Sequence, residues 1–457
     1  MSEVSRELGV ETPAAPPAPG QRRGRVWFAL WVLCGINAMN FYDRQIIAAV
    51  MEPLRKEWVL NDSAMGMLGT AFTLLYAAVG VPFGRLADSW SRTRLLSIGV
   101  SVWSLLTSAS GLAWNYASLC VTRLGVGVGE ASCAPAANSM IGDLFPPAQR
   151  ARALALFMLG LPVGLFLSYW ISGRIAHACG WRWAFYLACP PGLLLAALSL
   201  GIREPLRGAV EAGANAGRRR AGSPYRLVLG MPTMLWLILS GVLHNFNMYA
   251  VNSFLTAFLS RYHRLNLKDA TFDTAVVLGA VGVLGLLGGG WAADRLARWR
   301  VSGRLWVPAV AVLIAAPCVY LALEQPPGAL GSFLVLMGTG SMLMFIYYAA
   351  VYAAIQEVVE PGLRGTAMAL YFFGMYVLGA SLGPLGTGML SDHFAHQAMV
   401  QAGATVLTEQ YKAIGLHHAM YIIPVLCLIL AGVLFAAARA MPADSQRLRE
   451  WMMSNDC

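Results

Sequence analysis

Long apolar runs dominate this sequence and restrict its possible folds more than any other feature. They recur from residue 26 to residue 438, with short polar segments between them. Only 12% of the 457 residues are charged, about half the share in an average soluble protein. A soluble domain could not cover its surface with so few charges. Because an apolar run of about 20 residues crosses the hydrocarbon core of a bilayer as a helix, the sequence predicts a polytopic membrane protein.

The apolar runs predict an all-α protein with twelve membrane-spanning helices, which we number 1 to 12 along the chain. A polar, arginine-rich segment separates the sixth run from the seventh, so the helices divide into two bundles of six. The predicted spans are 26–51, 64–84, 94–113, 116–141, 151–176, 183–201, 231–259, 272–292, 305–323, 329–355, 364–390 and 417–438.

This pattern divides the chain into five regions. We expect a disordered cytoplasmic tail at 1–24, a six-helix bundle at 25–201, a cytoplasmic linker at 202–230, a second six-helix bundle at 231–440 and a cytoplasmic tail at 441–457. In this orientation, 23 of the 33 basic residues lie in cytoplasmic segments and 8 lie in the opposite loops. Because basic residues favour the cytoplasmic side, we predict a multi-pass protein of the inner membrane with both termini in the cytoplasm.

Short motifs of the first half recur in the second half at a nearly constant offset. The segment Gly84–Arg92 after helix 2 recurs after helix 8 as Gly290–Arg298, with Gly, Asp and Arg at the same spacing 206 positions later. Asn40–Tyr42 on helix 1 recurs on helix 7 as Asn247–Tyr249, 207 positions later. Offsets this close indicate two parallel six-helix repeats, which are typical of a transporter whose halves move about a central site.

The loop Gly84–Arg94 resembles the motif between helices 2 and 3 of the major facilitator superfamily, with Ser89 at a position where that motif usually has a basic residue. The resemblance extends over roughly residues 25 to 440. Within the superfamily, Asn40–Gln45 on helix 1 and Arg123–Ala131 on helix 4 resemble the spinster family. This resemblance implies the major facilitator fold and a carrier related to sphingosine-1-phosphate and lysophospholipid exporters, whose bacterial members are proton-coupled.

Four charged residues lie at membrane depth, all in the first half: Asp43 and Arg44 on helix 1, and Arg123 and Glu130 on helix 4. Each costs about 2.5–3.5 kcal/mol at mid-helix, so it persists only when it is paired or faces a wet cavity. At 1.5 Å per residue, Asp43 lies about 25 Å along helix 1 and Arg123 about 10 Å from the outer end of helix 4. Glu130 follows two turns later on the same face, so Arg123 can reach both carboxylates.

We therefore predict that Asp43, Arg123 and Glu130 form a proton-coupling site. In a low dielectric an unpaired carboxylate favours its protonated form and an ion-paired one stays charged, so an arginine shared by two carboxylates makes a proton switch. The alternative is a static salt bridge that holds helices 1 and 4 together. Arg44 is expected to snorkel to the interface or to support the other charged residues.

Polar side chains also recur along helices 1 and 7, which face each other across the pseudo-two-fold axis. Asn37, Asn40 and Asp43 are three residues apart on one face of helix 1. We predict a polar cavity between the two helices, although hydrogen bonds between neighbouring helices would explain the same stripe equally well. The predicted substrate contacts are Asn37, Asn40, Arg123, Glu130, Asn245, Tyr249, Asn252 and Tyr348.

Matched charges at the predicted cytoplasmic ends of the helices indicate a conformational gate. Asp143 follows helix 4, and its counterpart Glu357 follows helix 10, 214 positions later. With the two loop motifs, these acids are placed to bond across the interface between the bundles and to stabilise the outward-facing form. A topology signal alone would explain the arginines but not the matched acids. The predicted gate residues are Asp88, Arg92, Asp143, Asp294, Arg298 and Glu357.

Other functional classes lack support in the residues. The sequence has no nucleophile with a base and no His or Asp metal spacing, so we expect no enzyme activity, no metal and no cofactor beyond protons as the coupling ion. The eight cysteines form no CxxC motif, and no nucleic-acid partner is expected. We predict a monomeric proton-coupled secondary transporter in the lipid bilayer whose substrate is an amphipathic organic anion, a lysophospholipid or a sphingoid phosphate. A carrier of a smaller organic anion or drug is the alternative, and a polytopic membrane enzyme or receptor is a remote one.

Overall fold

The computed structural model describes residues 19–145, 147–205, 223–300, 302–360 and 363–455. Within these residues all regular structure is helical, and there is no strand. Twelve long helices follow one another in the predicted order. Two short helices accompany them, one before helix 2 and one before helix 7: Met51–Glu57 and Pro224–Leu229.

Several of the twelve long helices are built from consecutive segments. The first six occupy Pro19–Ala49; Asp62–Ser89; Arg92–Ser110; Tyr116–Glu130 with Cys133–Leu144; Pro147–Met158 with Gly160–Leu167, Ser168–Ser172 and Gly173–Cys179; and Trp181–Leu200. The last six occupy Pro232–Arg261; Leu267–Ala275 with Val276–Ala280 and Val281–Ala297; Gly303–Leu323; Leu330–Val358; Arg364–Gly374 with Met375–Ala380 and Leu382–Gln401; and Glu409–Met420 with Ile422–Asn455. Helices 5, 8 and 11 each contain one π-helical turn.

Among the described residues, nine helices are long and apolar enough to cross a membrane. Helices 1, 3 and 4 fall outside this set. Helix 1 carries Asp43 and Arg44, helix 3 is rich in serine and threonine, and helix 4 carries Arg123 and Glu130 and is interrupted just after them. The three helices outside this set therefore include the two that hold the intramembrane charges.

Some helices extend beyond their predicted apolar spans. Helix 8 begins at Leu267 rather than at residue 272, because the Asn266 side chain accepts a hydrogen bond from the Asp269 backbone N–H and caps the helix. Helix 12 begins at Glu409 and continues to Asn455, well past the predicted residues 417–438. Apolar patterning locates the part of a helix that lies in lipid and gives no signal for its polar extensions.

Glycines allow the two halves to pack backbone against backbone. A Cβ atom on Gly66 of helix 2 would overlap the Pro384 carbonyl of helix 11, and one on Gly279 of helix 8 would overlap the Phe166 backbone of helix 5. Within the second half, Gly285 of helix 8 packs in the same way against the Met342 carbonyl of helix 10. The absence of a side chain at these glycines lets the helix backbones approach closely.

We call the end of the molecule that holds the loop between helices 2 and 3 the basal end, and the opposite end the distal end. One apolar core runs through the second half and takes in the first half at the distal end, where Leu54 joins Phe254 and Leu416. At the basal end the first half has a core of its own, built around Trp103 and Met140. The halves are therefore joined distally and have separate cores basally.

Candidate transport site

All four intramembrane charges meet in the first half, but the pairing differs from the one predicted. Arg44 Nε donates a 2.7 Å hydrogen bond to Glu130 Oε2. The Arg44 side chain is only 5% exposed and that of Glu130 is fully buried. Of the two expectations for Arg44, snorkelling to the interface is wrong, whereas support of the other charged residues agrees with the structure, because this arginine is the ion-pair partner of Glu130.

Aromatic rings explain why Arg44 can remain at this depth. Its guanidinium carbon lies 4.2 Å from the centroid of the Tyr76 ring and 5.4 Å from that of Phe72. Tyr249 of the second half lines the same cavity as Arg44, and Tyr376 contacts Tyr76. Cation–π contacts are strongest where water is excluded, so the rings of Tyr76 and Phe72 stabilise the buried Arg44.

Arg123 approaches Asp43 through the main chain rather than through the carboxylate. Its Nη2 donates a 3.3 Å hydrogen bond to the Asp43 carbonyl oxygen, and its Nη1 has no hydrogen-bond partner. Both carboxylate oxygens of Asp43 are buried without a hydrogen bond. The predicted ion pair is thus not closed in this conformation, although the two charged groups are near enough to interact.

The polar residues predicted to line a cavity between helices 1 and 7 lie in different surroundings. Asn37 donates a 2.7 Å hydrogen bond to the Phe157 carbonyl of helix 5, so its amide joins neighbouring helices instead of facing a cavity. Asn245 accepts a 3.2 Å hydrogen bond from the Tyr348 hydroxyl, which brings two predicted contacts together. Asn40 lies buried beside Glu130.

The remaining predicted contacts, Tyr249 and Asn252, reach the central charges from the second half. Both residues line a small cavity with Arg44 and Arg123. Asn252 is 7% exposed, and its side-chain oxygen has no hydrogen-bond partner. Helix 7 therefore contributes polar groups to the same region as helices 1 and 4.

A continuous series of aromatic rings runs from the second half to Arg44. Tyr348 contacts Tyr352 at 6.0 Å between ring centroids, Tyr352 contacts Phe372 at 5.7 Å, and Phe372 contacts Tyr376 at 6.3 Å. Tyr376 then meets Tyr76 of the first half at 5.4 Å. We call this series the aromatic wall. The sequence predicts Tyr348 as a substrate contact but does not predict this alignment, because a single tyrosine in a span carries no signal for it.

Buried ion pairs that the sequence does not predict close the distal end across the two halves. Arg261 of helix 7 forms two hydrogen bonds with the Asp62 carboxylate of helix 2, at 2.7 and 2.8 Å. It also donates a 2.8 Å hydrogen bond to Glu52 of the short helix Met51–Glu57. These residues stand at helix ends, where a charge usually signals only the limit of a span.

Two further contacts extend this distal closure. Arg55 pairs with Glu52 at 3.1 Å and with Glu409 of helix 12 at 2.5 Å. Burial and the nearby Arg261 oppose its charge, yet the two carboxylates hold the pKa of Arg55 above its usual value. Asp392 of helix 11 accepts hydrogen bonds from the backbone N–H groups at the start of helix 2. The distal closure therefore consists of Glu52, Arg55, Asp62, Arg261, Asp392 and Glu409.

The basal charges of the first half pair within that half. Arg92 bonds Asp143 at 2.5 Å and Glu204 at 3.2 Å, and its side chain is fully buried. Burial favours the protonated form of Glu204, but hydrogen bonds from Ser91 and Arg92 outweigh burial and hold the pKa of Glu204 below its usual value. The side chain of Asp88, another predicted gate residue, lies outside the part of the chain that the structure describes.

In the second half Arg304, and not the predicted Arg298, makes the ion pairs with Asp294 and Glu357. Arg304 bonds Asp294 at 2.7 Å and Glu357 at 2.5 Å, whereas Arg298 is exposed. Arg92 is the first residue of helix 3, but Arg298 follows the end of helix 8, and helix 9 starts only at Gly303. The longer loop shifts the equivalent position to Arg304. The ion pairs named for each basal cluster join residues on one side of the molecule, and none of these pairs between described residues connects the two halves.

Among the described residues, no group of three or more His, Cys, Asp or Glu side chains could hold a metal ion.

The sequence profile of the Major Facilitator Superfamily matches residues 33–384. The chain belongs to this superfamily. It is therefore a multi-pass membrane transporter of the major facilitator fold, with twelve helices in two bundles, and not an enzyme.

Individual relatives assign the transporter to the spinster branch. It is 32% identical over 387 residues to the human protein spinster homolog 3, covering 80% of this chain and 76% of that protein. It is 31% identical over 382 residues to an MFS-type efflux pump of Mycolicibacterium smegmatis, covering 83% of this chain and 87% of the pump. A bacterial homolog of the human lysosomal transporter Spinster, crystallised in an inward-facing and unoccupied conformation, matches with a TM-score of 0.83 and 27% identity over 94% of this chain and 99% of that chain.

Proposed function

We propose that this transporter uses protons to drive the movement of an amphipathic organic anion, a lysophospholipid or a sphingoid phosphate. The observation that carries the proposal is the meeting of two arginines and two carboxylates in the interior of the first half, next to an aromatic wall that spans both halves. Intramembrane ionisable groups are expensive, and they are usually retained for transport or proton transfer.

The proton step uses Asp43. Its carboxylate is buried and makes no hydrogen bond, while Arg123 touches only its main chain. A charged Asp43 attracts Arg123 and draws helices 1 and 4 together, whereas a protonated Asp43 releases the arginine. Glu130 remains paired with Arg44, so the two carboxylates are in different electrostatic states at the same time.

The substrate step uses Arg44 and the aromatic wall. An anionic headgroup that enters from the basal side competes with Glu130 for the Arg44 guanidinium, which already contacts aromatic rings. The rings of Tyr76, Tyr376 and Tyr352 supply apolar surface with hydroxyl groups, which suits an amphipathic molecule. Proton release and headgroup binding are then linked through two arginines that share one pair of carboxylates.

Alternating access follows from the distal closure. The distal ion pairs join the halves, and the basal clusters remain within each half, as in an inward-facing carrier. In this proposal the basal end is cytoplasmic, the membrane is a bacterial inner membrane and the protein works as a monomer. A single cysteine placed at 213–217, in a variant whose native cysteines are masked, should react with an impermeant thiol reagent only from the cytoplasm.

A smaller organic anion or drug is the second candidate for the substrate. It is supported by the name of the mycobacterial relative, an MFS-type efflux pump. The same charged site would serve either substrate, because both would bring an anionic or polar group to Arg44.

Transport by purified protein in proteoliposomes tests the proposal. A lysophospholipid, a sphingoid phosphate and a small aromatic anion are supplied in turn, with and without an imposed pH gradient. We expect accumulation of a lipid phosphate that depends on the gradient. Accumulation of the small anion alone would favour the second candidate, and transport that ignores the gradient for every substrate would refute proton coupling.

A further inference from the structure

A small cavity lies on the distal side of the Arg44–Glu130 pair. Its volume is about 50 Å³. Met51 and Met65 form its distal rim, and Pro384 of helix 11 adds to its wall. Its polar and charged lining groups come from helices 1, 2, 4 and 7: Arg44, Gln45, Thr73, Arg123, Tyr249, Asn252 and Ser253.

The charged side chains that line this cavity are all positive. Two arginines line it, and neither Asp43 nor Glu130 does. Arg44 is already paired with Glu130, but the Nη1 group of Arg123 is buried without an acceptor. A buried N–H donor without an acceptor is destabilising, and more so when the group is charged. The cavity is where an acceptor for this Nη1 group has room.

The size of the cavity limits what can occupy it. Sites for organic ligands usually enclose about 300–1,000 Å³, so a lipid headgroup does not fit here. A water molecule needs only about 10–15 Å³. We propose that the cavity binds one small inorganic anion, a halide such as chloride, which balances the charge of Arg123 when Asp43 is protonated and the distal end is closed. The halide site contains no residue of the aromatic wall, although it shares Arg44 with the proposed substrate step, and its test does not require the identity of the transported substrate.

Direct binding of radioactive chloride tests the site. Purified protein in detergent is dialysed against ³⁶Cl⁻, with gluconate replacing chloride at constant ionic strength. We expect one saturable site per chain. Asn252→Leu should weaken binding about tenfold, since it removes an amide that lines the cavity and the loss of one hydrogen bond to a charged group is of this size. The structure predicts little loss of folding, because the Asn252 side-chain oxygen makes no hydrogen bond.

Asn245→Leu is the matched control. Asn245 is an amide on the same helix, two turns towards the basal end, and it does not line the cavity. It should bind chloride with wild-type affinity. Arg123→Ala, checked for folding by thermal shift, should bind none. Absence of saturable chloride binding in the wild type would mean that the cavity holds only water. Equal affinity in Asn252→Leu and the wild type would mean that chloride binds outside this cavity, and either result would overturn the proposal.

Discussion

Arg261 of helix 7 and Asp62 of helix 2 form a bidentate ion pair that joins the two halves at the distal end. Both side chains are at most 4% exposed. Breaking a buried pair costs about 3–5 kcal/mol when one charge is left without a partner. In a carrier that must open at this end, the open state can hydrate the remaining charge, so the cost falls mainly on the closed state.

Arg261→Ala should therefore shift the population towards a distal-open conformation. Spin labels on cysteines at Trp114 and Val406, one in each half and both exposed, should report a longer distance in the variant. Arg182→Ala is the control, because Arg182 pairs with Glu57 at the same end but within the first half. Equal distance distributions in wild type and Arg261→Ala would show that this pair does not hold the halves together.

The two basal arginines should differ in their contribution to stability. Arg92 is fully buried and bonds Asp143, Glu204 and Ser139, whereas the Arg304 side chain is 22% exposed. We expect Arg92→Ala to lower the free energy of unfolding by about 3–5 kcal/mol. Arg304→Ala should cost about 1 kcal/mol or less, because exposed pairs are weak. Melting temperatures of the two purified variants, measured in one detergent, should fall further for Arg92→Ala than for Arg304→Ala. Equal decreases in melting temperature would contradict this prediction.

The contribution of Glu204 should depend on pH. Its pKa is lowered in the folded protein, so its stabilising effect is complete above the unfolded value of about 4.3 and is lost as the pH falls through the folded value. Glu204→Gln should therefore melt below the wild type at pH 7, and the gap should narrow as the pH falls below about 4. A gap that stays constant over this range would mean that the charge of Glu204 contributes nothing.

Asn37 should affect stability but not substrate binding. Its amide joins helix 1 to the Phe157 carbonyl of helix 5, so Asn37→Ala leaves a buried acceptor unpaired and should cost about 1–3 kcal/mol. Tyr348→Phe is the comparison, because Tyr348 belongs to the aromatic wall and bonds Asn245. Substrate affinity, measured by competition binding, should fall in Tyr348→Phe and stay unchanged in Asn37→Ala. A loss of substrate affinity in Asn37→Ala would show that Asn37 contributes to substrate binding.

The helix order and the two-fold repeat were predictable from the sequence because apolar length and motif spacing are local properties of the chain. The four intramembrane charges were also recognisable, since each is conspicuous within an apolar run. Their pairing was not predictable. Asp43 and Arg44 are adjacent and point in different directions, and only the packing of helices 1, 2 and 4 decides that Arg44 reaches Glu130.

The distal closure shows a second limit of sequence reasoning. Glu52, Asp62 and Arg261 are separated by up to 209 positions, and each stands near the end of a helix. A charge there has the same local pattern whether it faces water or an opposite charge from the other half. Likewise, the loop between helices 8 and 9 moves the expected contact from Arg298 to Arg304, a shift that motif spacing alone does not reveal.

Proton coupling makes a prediction that separates the two carboxylates. Asp43→Asn imitates a permanently protonated side chain, and it should keep the fold because the Asp43 carboxylate makes no hydrogen bond. It should still bind substrate but lose the dependence of transport on the pH gradient. Glu130→Gln leaves Arg44 without its ion-pair partner, so it should also lower the melting temperature.

Uptake into proteoliposomes with and without a pH gradient, beside a thermal-shift measurement, distinguishes coupling from a static salt bridge. Under coupling, Asp43→Asn transports at the same rate with and without the gradient while its melting temperature stays near that of the wild type. Under a static bridge, each variant loses stability in proportion to the ion pairing that it loses. The protein that remains folded then transports substrate in response to the pH gradient as the wild type does. Because Arg44 holds Glu130 and leaves Asp43 unpaired in this conformation, gradient-driven transport by Asp43→Asn at the wild-type level would remove Asp43 from the proton path.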